Sequence, residues 1–566
     1  MKKFLLLLFG VILSLPVRVF SETNFSFEYE GQTLQYTITN ENAKTVETSG
    51  TKFMSGIHHI NGALIIPSKV KYNGVEYTVT GIGMHSFYQC EGITSVVLPS
   101  TITSMGSGAF GIGTGIIKAV FPNTVSVPVS RDGGTATYDP NNVLFENGFV
   151  YDAKKTTIIY APMSLQGAFA VPSTVTTIGP NAFLGCTKLS SVSLPSRLTT
   201  INDGAFKGCS SLSSAKLPET LTSIGASAFE DCTALTDITI PNSVTTLGNK
   251  VFQNCIGASS LKLSNKLTSI PLRAFAYCEK IPSADIPGTA SSIGAFAFYE
   301  CSSLTSVKIP SSVKEIGNYA FQETGLTSVE IPNSVTKIDN SVFCLCHNLT
   351  TATIGNSVET IGYNLFYKCE KLTSIVFPNS ITSFDINILY GCTSLKSVVL
   401  PNQITTITKN FFNGCTGLTS VEIPASVTSI EVDAFSGCTG LTSVIVPPHV
   451  TSIADGAFNN CTGLIKSAYP ATIENPFANG MTLAYNPEGT IIDDSIIYGP
   501  GKTAIYFVSP NTASEFTIPA SVTAITDNAF TACDNLTSVI SPMTIPPVMG
   551  NDAFSGLYDT AILTVP

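Results

Sequence analysis

Charge is scarce in this chain. Of 566 residues only 12% are Asp, Glu, Lys or Arg, and a net charge of −10 is spread thinly along the length. No basic footprint of the kind that grips a phosphate backbone is present, which excludes nucleic acid as a partner. Long apolar runs are missing as well: after the amino terminus no stretch reaches the roughly 18 residues that read as a membrane-spanning helix. There are five histidines, and His58, His59, His85, His347 and His449 are scattered without the spacing of a metal site. P-loop, H-E-x-x-H and nucleophile-elbow patterns are all absent. One G-x-G-x-x-G run occurs at 106–111, but Ala109 and Phe110 within it hold places in a repeat, and no long helix follows. The expectation is therefore no cofactor, no metal and no enzymatic activity; a glycan-active enzyme has no motif in its support.

What the chain does contain is apolar substance and order. A hydrophobic fraction of 44% is ample for a continuous core and argues against disorder. Residues 1–21 read as a secretory signal peptide, with Lys2 and Lys3, an apolar stretch at 4–15 and small-residue cleavage context near Ser21 and Glu22. This places the mature chain outside the cell, secreted or on the cell surface.

Cysteine provides a ruler. Cys186, Cys209, Cys232, Cys255, Cys278 and Cys301 stand at equal intervals of about 23 residues, and Cys346, Cys369, Cys392, Cys415, Cys438 and Cys461 resume the step after one slightly shorter coil. A constant period of this size means one structural unit stacked along an axis. The total of fifteen is odd, and each coil contributes one thiol to the same position, so a column of reduced, inward-facing cysteines is preferred over a disulfide framework. Neighbouring rungs of such a stack lie about 4.8 Å apart, which leaves occasional pairing open. Cys344 falls outside the register and is expected to be the accessible thiol.

Each unit follows A-F-x-x-C-x-x-L-T-S-V-x-I-P-x-S-V-T-x-I-G, as in the stretch from Ala182 and Phe183 through Cys186, Leu189, Val192, Leu194 and Pro195 to Leu198 and Ile201. Leu189, Val192 and Leu194 carry the L-x-x-L-x-L spacing of a strand with one buried face. Pro195 closes that strand because proline cannot donate to the ladder. Glycines after the second extended piece, such as Gly179, Gly225, Gly294, Gly317 and Gly362, are read as turns at positive φ. Ala, Phe and Cys then share one face of a helical turn, and the phenylalanines stack from coil to coil as core.

These units resemble the BspA-like leucine-rich repeat proteins of bacterial cell surfaces, which share the A-F-x-x-C and L-T-S-V-x-I-P-x-S-V-T-x-I-G elements. The resemblance covers nearly all of the mature chain. It implies a leucine-rich repeat solenoid, mostly β with short helical or 3-10 turns, and a secreted or surface-exposed binding protein, some relatives being adhesins for host matrix proteins.

Along the chain, residues 22–80 do not fit the repeat and alternate like paired strands, reading as an amino-terminal β cap. Coils follow at 81–122, then an insertion at 123–170, the main array at 171–470, a second insertion at 471–517 and closing coils at 518–566. Residues 142–151 resemble 489–498, so the insertions are copies of one hairpin, with Asn147-Gly148 as a tight-turn signal.

At the x of L-T-S-V-x-I-P, one column runs from Ser193, Lys216, Thr239, Lys262, Asp285, Lys308, Glu330 and Thr353 to Val376, Val399, Glu422 and Ile445. Its earlier half is polar; the later half places apolar side chains on a face expected to meet solvent, which marks interaction sites, although β-branched residues also suit a strand. Val376, Val399, Glu422 and Ile445 are the candidate ligand-binding residues. The neighbouring Thr-Ser pairs are expected to form hydroxyl ladders. The leading expectation is a binding protein that uses its strand face and the two insertions to hold a protein or glycan ligand, including host extracellular matrix; the alternative is a structural spacer that displays something else.

Overall fold

The computed structural model describes residues 23–565 apart from 50–60, 88, 89, 91, 108, 111–115, 117, 124, 126–133, 479, 494, 495, 556 and 558–561. The signal-peptide segment, His58 and His59, and part of the glycine run at 106–111 lie outside the described residues. The chain divides into two compact units after Val143.

In the first unit, Asn24–Tyr29 and Gln32–Asn40 pair antiparallel, and Thr45–Thr48 joins them to Val75–Ile82. Phe25 stacks on Tyr72 at 4.6 Å above a core of Leu34, Tyr36, Val46 and Val79. Leucine-rich coils follow, with Phe87 and Phe110 stacked at 5.2 Å.

The second unit is a ladder of coils, most with a longer strand on one side and a two-residue strand on the other. Lys188–Ser193 pairs in parallel with Ser214–Lys216, Asp237–Thr239 with Ser260–Lys262, and Ser374–Val376 with Ser397–Val399. Across the coil, Thr177–Ile178, Thr200–Ile201, Ser223–Ile224 and Thr246–Leu247 form the opposing ladder. Between the ladders, Phe183, Phe206, Phe229, Phe252, Phe275, Phe298, Phe321, Phe343 and Phe366 stack one on the next with centroids 4.8 to 5.8 Å apart. The alignment of each coil over the last buries every ring in full, the outcome expected of a repeat whose units cannot bury their own apolar faces.

The turns differ from expectation. Ala182, Phe183 and Cys186 are buried together, but the segment that carries them is not helical. Alternate amides leave the coil: Asn181, Phe183 and Gly185 donate to the carbonyls of Asp203, Ala205 and Lys207, while Ala182, Leu184 and Cys186 close short turns inside it. Turning successive amides in opposite directions requires left-handed residues, and each coil has two of them four apart. Ser227, Arg273, Phe296, Tyr319 and Asn364 sit at φ of 53 to 58°, and Asp231, Tyr277, Glu300, Glu323 and Lys368 at 54 to 62°. Each non-glycine residue held there costs on the order of 1–2 kcal/mol, offset by a hydrogen bond between coils. Among the described residues the one helical segment is the three-residue 3-10 turn Pro500–Lys502.

The repeat glycines after the second strand also have another cause. Gly179 and Gly317 do not adopt a positive φ; a Cβ on Gly179 would come 2.6 Å from the Ile158 carbonyl, and one on Gly317 would come 2.7 Å from the Ala295 nitrogen. Close approach of the preceding coil, rather than backbone hand, selects glycine at these positions.

All fifteen cysteines are buried thiols. Along most of the main array they donate to the Phe carbonyl of the coil before, as Cys232 does to Phe206 at 3.2 Å and Cys369 to Phe343 at 3.1 Å, while Cys415 donates to Leu389, which holds the Phe position, and Cys186 to Pro162. In the shorter coil Thr324 takes the cysteine's place, donating to the Phe321 carbonyl at 2.8 Å with its Oγ1 3.2 Å from Cys346 Sγ. Cys344 is not the accessible thiol: it is 6% exposed, and burial pushes its pKa up to about 12.

The two hairpins share their pairing. Val150 and Tyr151 oppose Tyr160 and Ile158 across a bulge, as Ile497 and Tyr498 oppose Phe507 and Ile505. Asn147 and Gly148 have φ of 49 and 78°, the left-handed pair that a tight turn of this kind needs. An ion pair lies in each hairpin, Lys155 to Glu146 in the first and Lys502 to Asp493 in the second.

Candidate binding surface

Three columns face outward along the longer strands. In the first, threonine and serine hydroxyls donate to the carbonyl one coil back: Ser213 to Ser190, Thr305 to Pro282, Thr350 to Thr327 and Thr373 to Thr350, at 2.9 to 3.2 Å. These are the expected hydroxyl ladders. In the second, Ser214, Ser260, Ser283, Ser306, Ser328, Ser374 and Ser397 point to solvent, one per coil. The third is the variable column.

Parallel register sets Val376 beside Val399, and they are 59% and 55% exposed. Glu422 is exposed on the next coil. Ile445 does not complete the apolar group. It is half-buried, because the second hairpin folds back over this end of the face and packs Ile497 and Phe507 against Ile445, Ala468 and Leu483. Of the four candidate residues, the structure thus brings Val376 and Val399 together in the open, leaves Glu422 beside them and encloses Ile445.

Residues 508–511 continue the cover. Ser509 and Ser443 meet hydroxyl to hydroxyl at 2.8 Å, both buried. Asn511 Nδ2 lies 3.1 Å from Thr442 Oγ1 and from Ser443 Oγ, and 3.3 Å from the Thr419 carbonyl. One coil on, Lys466 stands in the serine column. Its ammonium donates to the carbonyls of Val508, Asn528 and Ala529 at 3.2, 3.2 and 2.7 Å and sits 4.4 Å above the Phe507 ring. Burial lowers its pKa to about 8. Tyr485 donates its hydroxyl to the Val446 carbonyl and closes the same joint.

Sequence reasoning passed over Lys466, although a signal existed. Lysine replaces serine in the second column at Lys118 and Lys466, the coils just before each hairpin, and both side chains are buried, at 1% and 3% exposure. At Lys466 the cation in the hydroxyl column stands where residues 507–508 and 528–529 cover it.

The open part of this face presents hydroxyls, carbonyls and two valines in a regular lattice, a surface for many shallow contacts rather than for bond making. Among the described residues no cluster of His, Cys, Asp or Glu is disposed to hold a metal ion, and no helix is long and apolar enough to cross a membrane.

The family described as the BspA type leucine rich repeat region matches residues 25–128, 163–282, 268–396, 359–479 and 504–566. The two gaps, 129–162 and 480–503, fall on the two hairpins. Among solved structures, a leucine-rich repeat protein from Bacteroides ovatus is 27% identical over 78% of this chain and 94% of its own, with a TM-score of 0.50. A leucine rich cell surface protein from Faecalibacterium prausnitzii is 23% identical over 79% of this chain and 95% of its own, TM-score 0.32. A leucine-rich repeat protein from Eubacterium ventriosum is 22% identical over 73% and 95%, TM-score 0.38. A search of curated proteins gave no match.

Proposed function

The chain belongs to the BspA-type leucine-rich repeat family, and from that premise we propose that it is a secreted, cell-surface adhesin whose open strand face, coils 191–422, holds a protein partner. Host extracellular matrix proteins are the class to test first. The observation that carries this reading is the pair Val376 and Val399, more than half exposed on a face that is otherwise hydroxyl and charge. Apolar side chains left side by side on such a surface gain free energy when a partner covers them, ~25 cal/mol per Å². The repeat multiplies that gain by supplying many equivalent rungs, so affinity builds from weak contacts. In the same reading the antiparallel sheet of the first unit caps the coils that follow it in that unit, and the second hairpin delimits the binding face.

Screening the full chain against immobilised matrix proteins, and against glycans in parallel, tests the proposal. The Val376→Asp, Val399→Asp double variant should lose at least about tenfold in affinity for any partner found, ~1.4 kcal/mol. Unchanged affinity in a folded double variant removes this face from the function.

A further inference from the structure

The covered end of the strand face holds a piece of the chain itself. Residues 507–511 lie on it as a ligand would. Phe507 packs in the cluster over Ile445 and Ala468, Ser509 meets Ser443, and Asn511 spans two coils to reach the Thr419 carbonyl and the Thr442 and Ser443 hydroxyls. None of these receiving groups is special to that place. Three coils earlier, the Thr350 carbonyl, Thr373 Oγ1, Ser374 Oγ and Val376 hold the same four positions, and they are uncovered. The hydroxyl-to-carbonyl link is alike in both, 3.2 Å: Thr442 Oγ1 donates to the Thr419 carbonyl as Thr373 Oγ1 donates to that of Thr350. The next coil continues the match in register, Val399 beside Val376 as Ala468 is beside Ile445. The residue types in that coil differ: exposed Lys396 and Ser397 stand where Ile465 and buried Lys466 are, and the larger Val399 stands where Ala468 is.

We propose that the coils at Thr373 and Ser397 bind a polypeptide loop of the chemistry of residues 507–511: an aromatic or aliphatic side chain set over Val376 and Val399, and, four residues on, an asparagine whose amide is received by the Thr350 carbonyl and the Thr373 and Ser374 hydroxyls. The claim deepens the preceding proposal and rests on its assignment of the open face. Asparagine is selected over aspartate because the Thr350 carbonyl accepts only, so the partner group must carry N–H; a carboxylate has none and meets that oxygen with like charge. Among the described residues this is the coil where a Thr-Ser pair and an exposed apolar residue of the variable column coincide, which sets the register.

The probe is a fluorescent peptide of residues 504–514, titrated into the full chain and followed by anisotropy. Saturable binding is expected, weakened about fivefold or more by Thr373→Val with Ser374→Ala in the protein, and to a like degree by Asn511→Asp in the peptide. Glu315→Gln, exposed on the opposing ladder of two-residue strands, should leave it unchanged. Absence of saturation up to about 1 mM peptide, or equal binding to the Thr373→Val, Ser374→Ala protein, overturns the inference. A matrix partner that depends on Val376 and Val399 but is not displaced by the peptide also overturns it, while the assignment of the face to adhesion stands. Peptide binding with this dependence, in a chain for which no partner responds to Val376→Asp, supports the peptide site and removes the adhesin reading.

Discussion

Residues 373–376 and 442–445 are built from one pattern three coils apart, and they have opposite environments. At the first, Ser374 and Val376 face solvent; at the second, Ser443 is buried and Ile445 half-buried beneath the returning hairpin. Position in the repeat sets which way a side chain points, and a distant segment decides whether it meets water. The same hydroxyl that is a spare acceptor in one coil is a structural contact in the other.

Removing the roof should break this comparison most severely. Phe507→Ala takes a ring that is 1% exposed out of the cluster with Ala468 and Tyr485, and a loss of roughly 3–5 kcal/mol is expected. Hydrogen exchange should report it locally, with amides at 445, 468 and 483 losing protection and those near 376 unaffected. If protection is lost evenly along the array, the hairpin is not a separate cover.

Lys466→Met comes next. It takes the ammonium away from the carbonyls of Val508, Asn528 and Ala529, of which Ala529 keeps the Val508 N–H at 2.9 Å, a cost of about 1–3 kcal/mol. It also removes a pH dependence whose sign follows from the lowered pKa. With a folded value of about 8 and an unfolded value near 10.4, the unfolded chain binds the extra proton between those limits. Stability contributed by this joint therefore rises with pH across the window, and below it the buried charge exerts its full penalty. Urea midpoints at pH 7 and pH 10 should differ more for the natural chain than for the variant; an equal difference in both would mean that the ammonium is not the group responsible.

Paired serine substitutions sharpen the comparison further. Ser443→Ala should cost about 1 kcal/mol, because Ser509 and Asn511 lose a buried partner, whereas Ser374→Ala should stay within about 0.5 kcal/mol. Equal effects in thermal unfolding would show that the two coils are not environmentally distinct. The smallest change in stability is expected for Val376→Asp and Val399→Asp, again within about 0.5 kcal/mol apiece, although these carry the largest expected effect on binding.

Much of the architecture was legible because stacking forces repetition. The Phe and Cys columns had to be interior, since a single coil buries its apolar face only against a copy of itself. The turns were misread for a reason that periodicity hides. Ala, Phe and Cys at 182, 183 and 186 share a face in a helix, and they share one equally in a turn whose amides alternate between coils. Residues as unlike as Phe296 and Asp433 occupy the left-handed positions, so composition does not announce them. Cys344 was read as accessible because it breaks the register, yet it is enclosed all the same. Of the four candidate binding residues, Ile445 is half-buried, and the strands Ile496–Tyr498 and Ala504–Val508 packed against it explain why.

What the amino-acid order determined by itself was the coil: its length, its two strands, its buried phenylalanine and thiol, and the outward threonine, serine and variable columns. Those follow from local periodicity and from the identity of neighbouring units, both written directly in the chain. What the tertiary structure decided was which stretch of the outward face remains available. That depends on Phe507, Ser509 and Asn511 reaching back to Ile445, Ser443 and Thr442 from far along the chain, a long-range closure that a repeating local pattern has no means to encode.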